Sequence, residues 1–352
     1  MIDWSKSMFQ NFEYYEVDPN TWKDKKIITN IKRCSISRDS EAETLGSASI
    51  DADNIFGECY IRIYLIIDQN GVKDKISLGV FLIQTPSTTF DGKIKNISMD
   101  AYTPLIELKE KKTPYGYSLL KNDNILHEAY LSARENMRAP VIETSSDKTL
   151  DNDFVANVDD NWLTFLIDLL YKAKYHFYLD EDGKILFAPN QTLDELQPVW
   201  TYTDDNSSIL FPEIQIKHDI YGIPNVVEVI CNIGNEIYHA RVVNDDPNSP
   251  TSTIQRGREI IYRETSPALQ GIPTEAQVDE YAENLLKQLN EVEYELTYSH
   301  GYCPVRIGDC VRLNYIKAGL KDVKAKVIRQ NIECDIGCKV SETARFSKNL
   351  WK

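Results

Sequence analysis

No apolar run in this sequence approaches the ~20 residues that a membrane-spanning helix needs, and the opening Met1-Ile2-Asp3-Trp4-Ser5-Lys6 lacks the basic-then-apolar order of a secretory signal. Synthesis and folding in a cytoplasm are therefore expected. Positive charge is scarce: 39 lysines and arginines face 54 aspartates and glutamates, a formal net charge of −15. A protein built to grip nucleic acid phosphates, or an anionic membrane surface, carries the opposite sign at least as a patch. Both partner classes are disfavoured. The seven cysteines (Cys34, Cys59, Cys231, Cys303, Cys310, Cys334, Cys338) are odd in number and scattered, without the spacing of a secreted disulfide framework. Catalytic signatures are missing too: there is no Gly-x-Ser-x-Gly, no His-Glu-x-x-His and no glycine-rich phosphate loop.

What is present describes a globular chain. Its 352 residues give a prior of two or three domains, and 42% hydrophobic against 26% charged residues supply material for real cores. Residues 1–26 carry Trp4, Phe9, Phe12, Tyr14, Tyr15 and Trp22 with no sustained helical or strand period. Aromatics are costly to leave in water, so this segment reads as an arm that docks on its own domain or on a neighbouring subunit. From Ile27 the pattern turns to strands, with Asn70-Gly71 and Asp91-Gly92 as hairpin signals. A first small antiparallel barrel or sandwich is expected over residues 27–112.

The period changes after Thr113-Pro114. Residues 124–137 and 160–171 read as helices, the second opened by Asp160-Asn161, and Glu181-Asp182-Gly183 joins two strands, so residues 113–208 form an α+β insertion. Residues 209–352 return to strands around one strong helix, 274–292. There Thr274 and Gln277 fit a capping box, and Val278, Tyr281, Ala282, Leu285, Leu286 and Leu289 make one apolar stripe. The polar stretch from Asn244 to Gly257, holding Asp245 and Asp246, is long for a routine connection and reads as a mobile or contact element.

Candidate chemistry yields to plainer readings. Asp180-Glu181-Asp182-Gly183 lacks the ligand alternation of a calcium loop and fits a hairpin turn. Asp151-Asn152-Asp153 and Asp159-Asp160-Asn161 fit a surface loop and a helix cap. Cys334 and Cys338 flank Asp335-Ile336-Gly337 and could face one another across a tight turn, but zinc knuckle spacing is absent and packed thiols are favoured. His300 with Cys303 invites a nucleophile–base reading that neighbouring positions alone do not establish. The remaining histidines, His127, His176, His218 and His239, lie in separate elements. No catalytic residue, cofactor or metal is assigned.

Three stretches carry a family resemblance. Cys34-Ser35-Ile36-Ser37-Arg38 and Gly46-Ser47-Ala48-Ser49-Ile50, followed by Tyr60-Ile61-Arg62-Ile63-Tyr64 and Leu78-Gly79-Val80-Phe81-Leu82-Ile83, resemble the first domain of the baseplate hub proteins of tailed bacteriophages and phage-tail-like bacteriocins, the late-control-protein-D-like family. Pro224-Asn225-Val226-Val227-Glu228-Val229 is similar to the strand that opens that family's second barrel. The helix around Tyr281-Ala282-Glu283-Asn284-Leu285-Leu286, with Ile307-Gly308-Asp309-Cys310-Val311-Arg312-Leu313, is similar to its later helix and strand.

The resemblance implies a mainly β chain of two small tail-tube-like barrels with an α+β insertion. It implies a non-enzymatic virion protein whose homotrimer adapts the six-fold tail tube to a three-fold spike or tip. Implied partners are further copies of itself, the tail tube or distal tail ring protein, the spike or tip, and the tape-measure protein. DNA passes through the channel without specific binding, and an acidic wall would keep it from sticking. No membrane binding is implied. Hubs fused to a lysin continue well beyond this length, so wall-degrading activity is expected on other chains. Interface positions are expected at Trp4, Phe9, Trp22, Asp245 and Asp246. A peptidoglycan-degrading tail enzyme and a receptor- or carbohydrate-binding tail module are the alternatives.

Overall fold

A computed structural model of the chain describes residues 2–54, 57–90, 92–93, 95–233, 236–269 and 273–351. Asp91 of the expected Asp-Gly hairpin, and the turn expected at Gly234-Asn235, lie outside the described residues. The chain divides into two units, residues 1–214 with 298–343, and residues 215–297 with 344–352.

The first unit begins with β1 (Phe9–Val17), β2 (Asp24–Ile28), β3 (Ile31–Asp39), β4 (Gly46–Ala52), β5 (Tyr60–Gln69), β6 (Val72–Phe90) and β7 (Lys95–Tyr102). Asn70 and Gly71 both take positive φ, 54° and 83°, as the tight primed turn of a two-residue hairpin requires. The terminal aromatic segment is a strand rather than an irregular arm. β1 pairs with β5 along its whole length, from Phe9 opposite Asp68 to Val17 opposite Tyr60, and with β2 on its other side. Its period is hard to read because only Tyr14 and Val17 are fully buried.

The helical part follows: α1 (Ile106–Glu110), β8 (Ser118–Leu119), α2 (Ile125–Asn136), β9 (Phe154–Val155), α3 (Trp162–Ala173), β10 (Tyr175–Leu179) and β11 (Ile185–Pro189). Asn124 and Asn161 cap α2 and α3 by accepting from the amides of His127 and Thr164. Leu126, Ala129, Leu166, Leu169 and Leu170 pack with Val17, Trp22, Tyr60, Val80 and Leu82 in one core. On the opposite face of β5 and β6, Ile61, Ile63, Leu65, Phe81 and Ile83 enter a second core with Ile36, Ile50 and Met99. Both faces of these strands are covered, which is why their sequences run apolar instead of alternating.

The remaining elements are β12 (Pro198–Thr203), β13 (Leu210–His218), β14 (Val226–Ile233), β15 (Glu236–Val243), α4 (Thr253–Arg256), β16 (Ile261–Glu264), α5 (Glu275–Leu289), β17 (Glu291–Gly301), β18 (Cys310–Tyr315), β19 (Leu320–Glu333) and β20 (Lys339–Asn349). Within the first unit β19 pairs with β3, and hydrogen bonding then runs β3-β4-β7-β6-β5-β1-β2, with β18 and β12 branching from β19. The fold is mainly β with a helical insertion. Neither expected barrel closes by hydrogen bonding among the described residues, because β2 has β1 as its one partner in the sheet path. Parallel pairs also occur, β12 with β18 and β14 with β16, so the sheets are mixed.

The second unit holds the sheet β15-β14-β16 with α5 across one face, where Val227, Val229 and Ala240 meet Val278, Ala282 and Leu286. The complete Thr274–Gln277 capping box starts α5. Strand residues His218, Tyr294 and Phe346 stack in this unit, with ring centroids 4.5 and 5.1 Å apart.

Candidate functional site

The first unit gathers a polar cluster in its interior. β17 supplies Tyr298 and His300, the following turn Cys303, β20 Glu342, β12 Tyr202 and β19 Gln330. His300 Nδ1 faces the Gly301 carbonyl at 2.7 Å and Cys303 Sγ at 3.8 Å, and its Nε2 faces the Tyr202 hydroxyl at 3.0 Å and Glu342 Oε2 at 3.4 Å. Tyr298 donates to Glu342, and Gln330 Nε2 donates to the same carboxylate at 2.7 Å. Arg38 donates to Gln330 Oε1 at 3.2 Å and to the Leu78 carbonyl.

With acceptors at both ring nitrogens, the imidazole is held as a cation. Burial alone would push it down, but hydrogen bonds to Cys303 and Glu342, together with the carboxylate charge, outweigh burial and lift its pKa to about 10. Folding thus assembles the cysteine, histidine and carboxylate that sequence proximity alone does not establish as a dyad. Its nucleophile is sealed: Cys303 is 1% exposed, and His300 and Glu342 are fully buried. A thiol so placed meets no substrate, and the cluster acts as a hydrogen-bonded core. The strand alternation of Tyr298 with His300, and of Val340 with Glu342, points both charges inward, but their pairing across 42 residues has no signature in the sequence.

The Asp180–Gly183 turn joins β10 to β11 as a hairpin and seats on the β strands through its carbonyls. Trp22 Nε1 donates to Asp182 O at 2.7 Å, Ser77 donates to Glu181 O, and Arg306 pairs with the Glu181 carboxylate at 2.8 Å. Gly183, at φ 72°, leaves no space for a side chain, since a Cβ would stand 2.7 Å from that of Val80. No group of three or more histidine, cysteine, aspartate or glutamate side chains suited to a metal occurs among the described residues.

The five expected interface residues occupy different surroundings. Trp4 packs edge-on against Tyr302, with centroids 5.4 Å apart, and Trp22 is buried against Tyr60. Phe9 is 80% exposed. Asp245 is exposed and Asp246 half-buried in a loop that is pinned rather than loose. There Asn244 donates to Ser249 at 2.8 Å, Thr251 donates to Asn290 Oδ1 at 2.6 Å, and Asn290 Nδ2 donates to Pro224 O. None of the five tryptophans falls among the exposed residues.

The outward face of β3, β4 and β7 carries Ser35, Ser37, Ser47, Ser49, Asp51, Ser98 and Asp100, with the exposed Arg33 opposite Asp51 at one end, and Ser35, Ser37, Ser47, Ser49, Asp100 and Tyr102 line a depression on it. In the second unit, the sheet face opposite α5 carries Glu228 between Arg241 and Arg263, at 3.4 and 2.7 Å, with Ile237 73% exposed nearby on β15.

No protein-family model matches the sequence, and no curated protein matches it. Solved structures do. A tail protein from Neisseria meningitidis MC58 aligns over 97% of this chain and 98% of its own, with a TM-score of 0.60 at 12% identity. The 43 kDa tail protein of prophage MuSo2 from Shewanella oneidensis aligns over 95% and 98%, with a TM-score of 0.59 at 12% identity. A chain of the Francisella PdpA–VgrG complex aligns over 98% of this chain and 53% of its own, with a TM-score of 0.54 at 12% identity. The chain therefore shares the fold of these two tail proteins over nearly their whole length, and that of part of a chain in the PdpA–VgrG complex.

Proposed function

We propose that this chain is a structural hub of a phage tail or tail-like particle. In this role three copies form a ring that joins the six-fold tail tube to a three-fold spike or tip and surrounds the DNA channel. The observation that carries the reading is fold likeness at nearly full mutual coverage with a tail protein and a prophage tail protein. The two strand-rich blocks of the chain suit a trimer that presents six related modules to a six-fold tube. The tube, spike and tape-measure proteins are its partners in this reading, and the particle is its location.

A non-enzymatic role is supported by the sealed surroundings of the Cys303–His300–Glu342 cluster. A carbohydrate platform built on Trp4 or Trp22 is disfavoured because both are engaged within their own unit. The serine- and aspartate-bearing face of β3, β4 and β7 is the proposed channel lining, since short neutral and acidic side chains give DNA phosphates little to hold and its one exposed arginine, Arg33, stands opposite Asp51. Native mass measurement tests the assembly: three copies are expected for the purified chain, alone or with its neighbouring tail proteins. A stable monomer that joins no tail protein contradicts the hub.

A further inference from the structure

β3 and β19 pair antiparallel with Ile36 opposite Ile332 and Ser35 opposite Glu333. One step further along the ladder, Cys34 stands opposite Cys334, whose amide donates to the Cys34 carbonyl at 2.9 Å. Directly opposed, hydrogen-bonded residues hold their Cα atoms about 5.5 Å apart, inside the roughly 4.4–6.8 Å range that a disulfide spans, and closing the bond draws the Cβ atoms in to about 3.5–4.5 Å. Alternation turns both side chains to the buried face, beside Ile36 and Ile332. Tyr14 lies in the same core as the two thiols. Both cysteines are reduced in this structure.

We propose that Cys34 and Cys334 are an oxidisable pair that a low-molecular-weight disulfide converts to a cross-strand disulfide tying β3 to β19. The sulfur of one cysteine, as thiolate, attacks the external disulfide, forming a mixed disulfide and releasing one thiolate. The sulfur of the second cysteine then displaces the remaining external group. Two protein thiols and one external disulfide become one protein disulfide and two external thiols, which take up the two protons. The adjoining Cys34 thiol and burial hold the Cys334 thiol well above the ordinary thiol range, so thiolate is scarce in the closed fold and exchange proceeds through opening of the β3–β19 pairing.

The linkage would close a loop of about 300 residues, which restricts the unfolded chain strongly. The pairing is independent of the proposed role. Only its setting rests on that reading: reduced during assembly in a cytoplasm, oxidised once the particle is released.

The test uses the purified full-length chain, freed of reductant and incubated with oxidised glutathione in mildly alkaline buffer with sub-denaturing urea. It is then alkylated and digested without reduction. Mass spectrometry is expected to find one peptide pair joined through Cys34 and Cys334, with the intact chain lighter by two hydrogens. After urea removal, Tm is expected to rise on the order of 10 °C. Cys338→Ser is expected to keep both effects and Cys334→Ser to lose both. Should the serine variants fail to fold, the wild-type peptide map still decides. Alkylated Cys34 and Cys334 after incubation, or a Cys334–Cys338 linkage in their place, overturns the proposal.

Discussion

Glu342→Gln removes the counter-charge of His300 while keeping the side-chain volume. In the folded chain the imidazole titrates at about 10, against 6.5 ordinarily. A folded value above the unfolded one means that protonation favours folding. The contribution is full below about pH 6.5 and is lost as pH rises through about 10. Each pH unit in between costs about 1.4 kcal/mol, so stability falls by about 2 kcal/mol between about pH 7 and about pH 8.5. Buried groups such as Cys338 and Tyr298, whose pKa values burial raises, add losses of the same sign as pH climbs to and past the ordinary thiol range of about 8.5, so the difference in slope between wild type and variant isolates His300. Urea unfolding followed by circular dichroism at the two pH values measures the slope. The variant is expected to lose more than half of it. At about pH 7 it is also expected to lose about 3–5 kcal/mol, the usual cost of breaking a buried ion pair from one side. A flat wild-type response across the window, or an undiminished slope in the variant, refutes the assignment of a buried imidazolium.

Gly183→Ala is expected to destabilise the first unit by about 2–4 kcal/mol, from a left-handed backbone and a clash with Val80. Gly116→Ala, equally left-handed but in open space, should cost only about 1 kcal/mol; a thermal shift comparison separates the two. Asn161→Ala should lower stability by about 1 kcal/mol by leaving the first turn of α3 uncapped, read from urea midpoints. Leu286→Ala, in the core under α5, should cost about 2–5 kcal/mol in the second unit, with amide exchange in α5 accelerated accordingly. Phe9→Ser, at an exposed position, should leave Tm unchanged within error while weakening self-association in sedimentation experiments; unchanged association removes Phe9 from the interface.

The sequence speaks clearly where local physics decides. Thr274, Gln277 and the stripe from Val278 to Leu289 define α5, because a capping box and a helical period are both contained within a few turns. Asn70-Gly71 and Asp182-Gly183 mark their turns for the same reason. β1 stays hidden, since Gln10, Asn11 and Glu13 interrupt its aromatics and its partner β5 lies some fifty residues away. The pairing of β3 with β19 joins positions nearly 300 residues apart, and neither strand carries a mark of the other. The polar cluster depends on that distant pairing, because Arg38 reaches Gln330 only once β3 and β19 lie side by side. The loop after β15 reads from its length as a mobile or contact element, and Asn244, Ser249 and Thr251 are the side chains that bury and pin it. Its asparagines and serines satisfy one another inside the unit instead of meeting solvent.

A cryo-EM reconstruction of tail particles that contain this chain decides whether it is a hub. Three copies are expected in a ring at the end of the tail tube, around a channel lined by the outward face of β3, β4 and β7. A monomeric position on the periphery of the particle, or a ring with a different number of copies, contradicts that role.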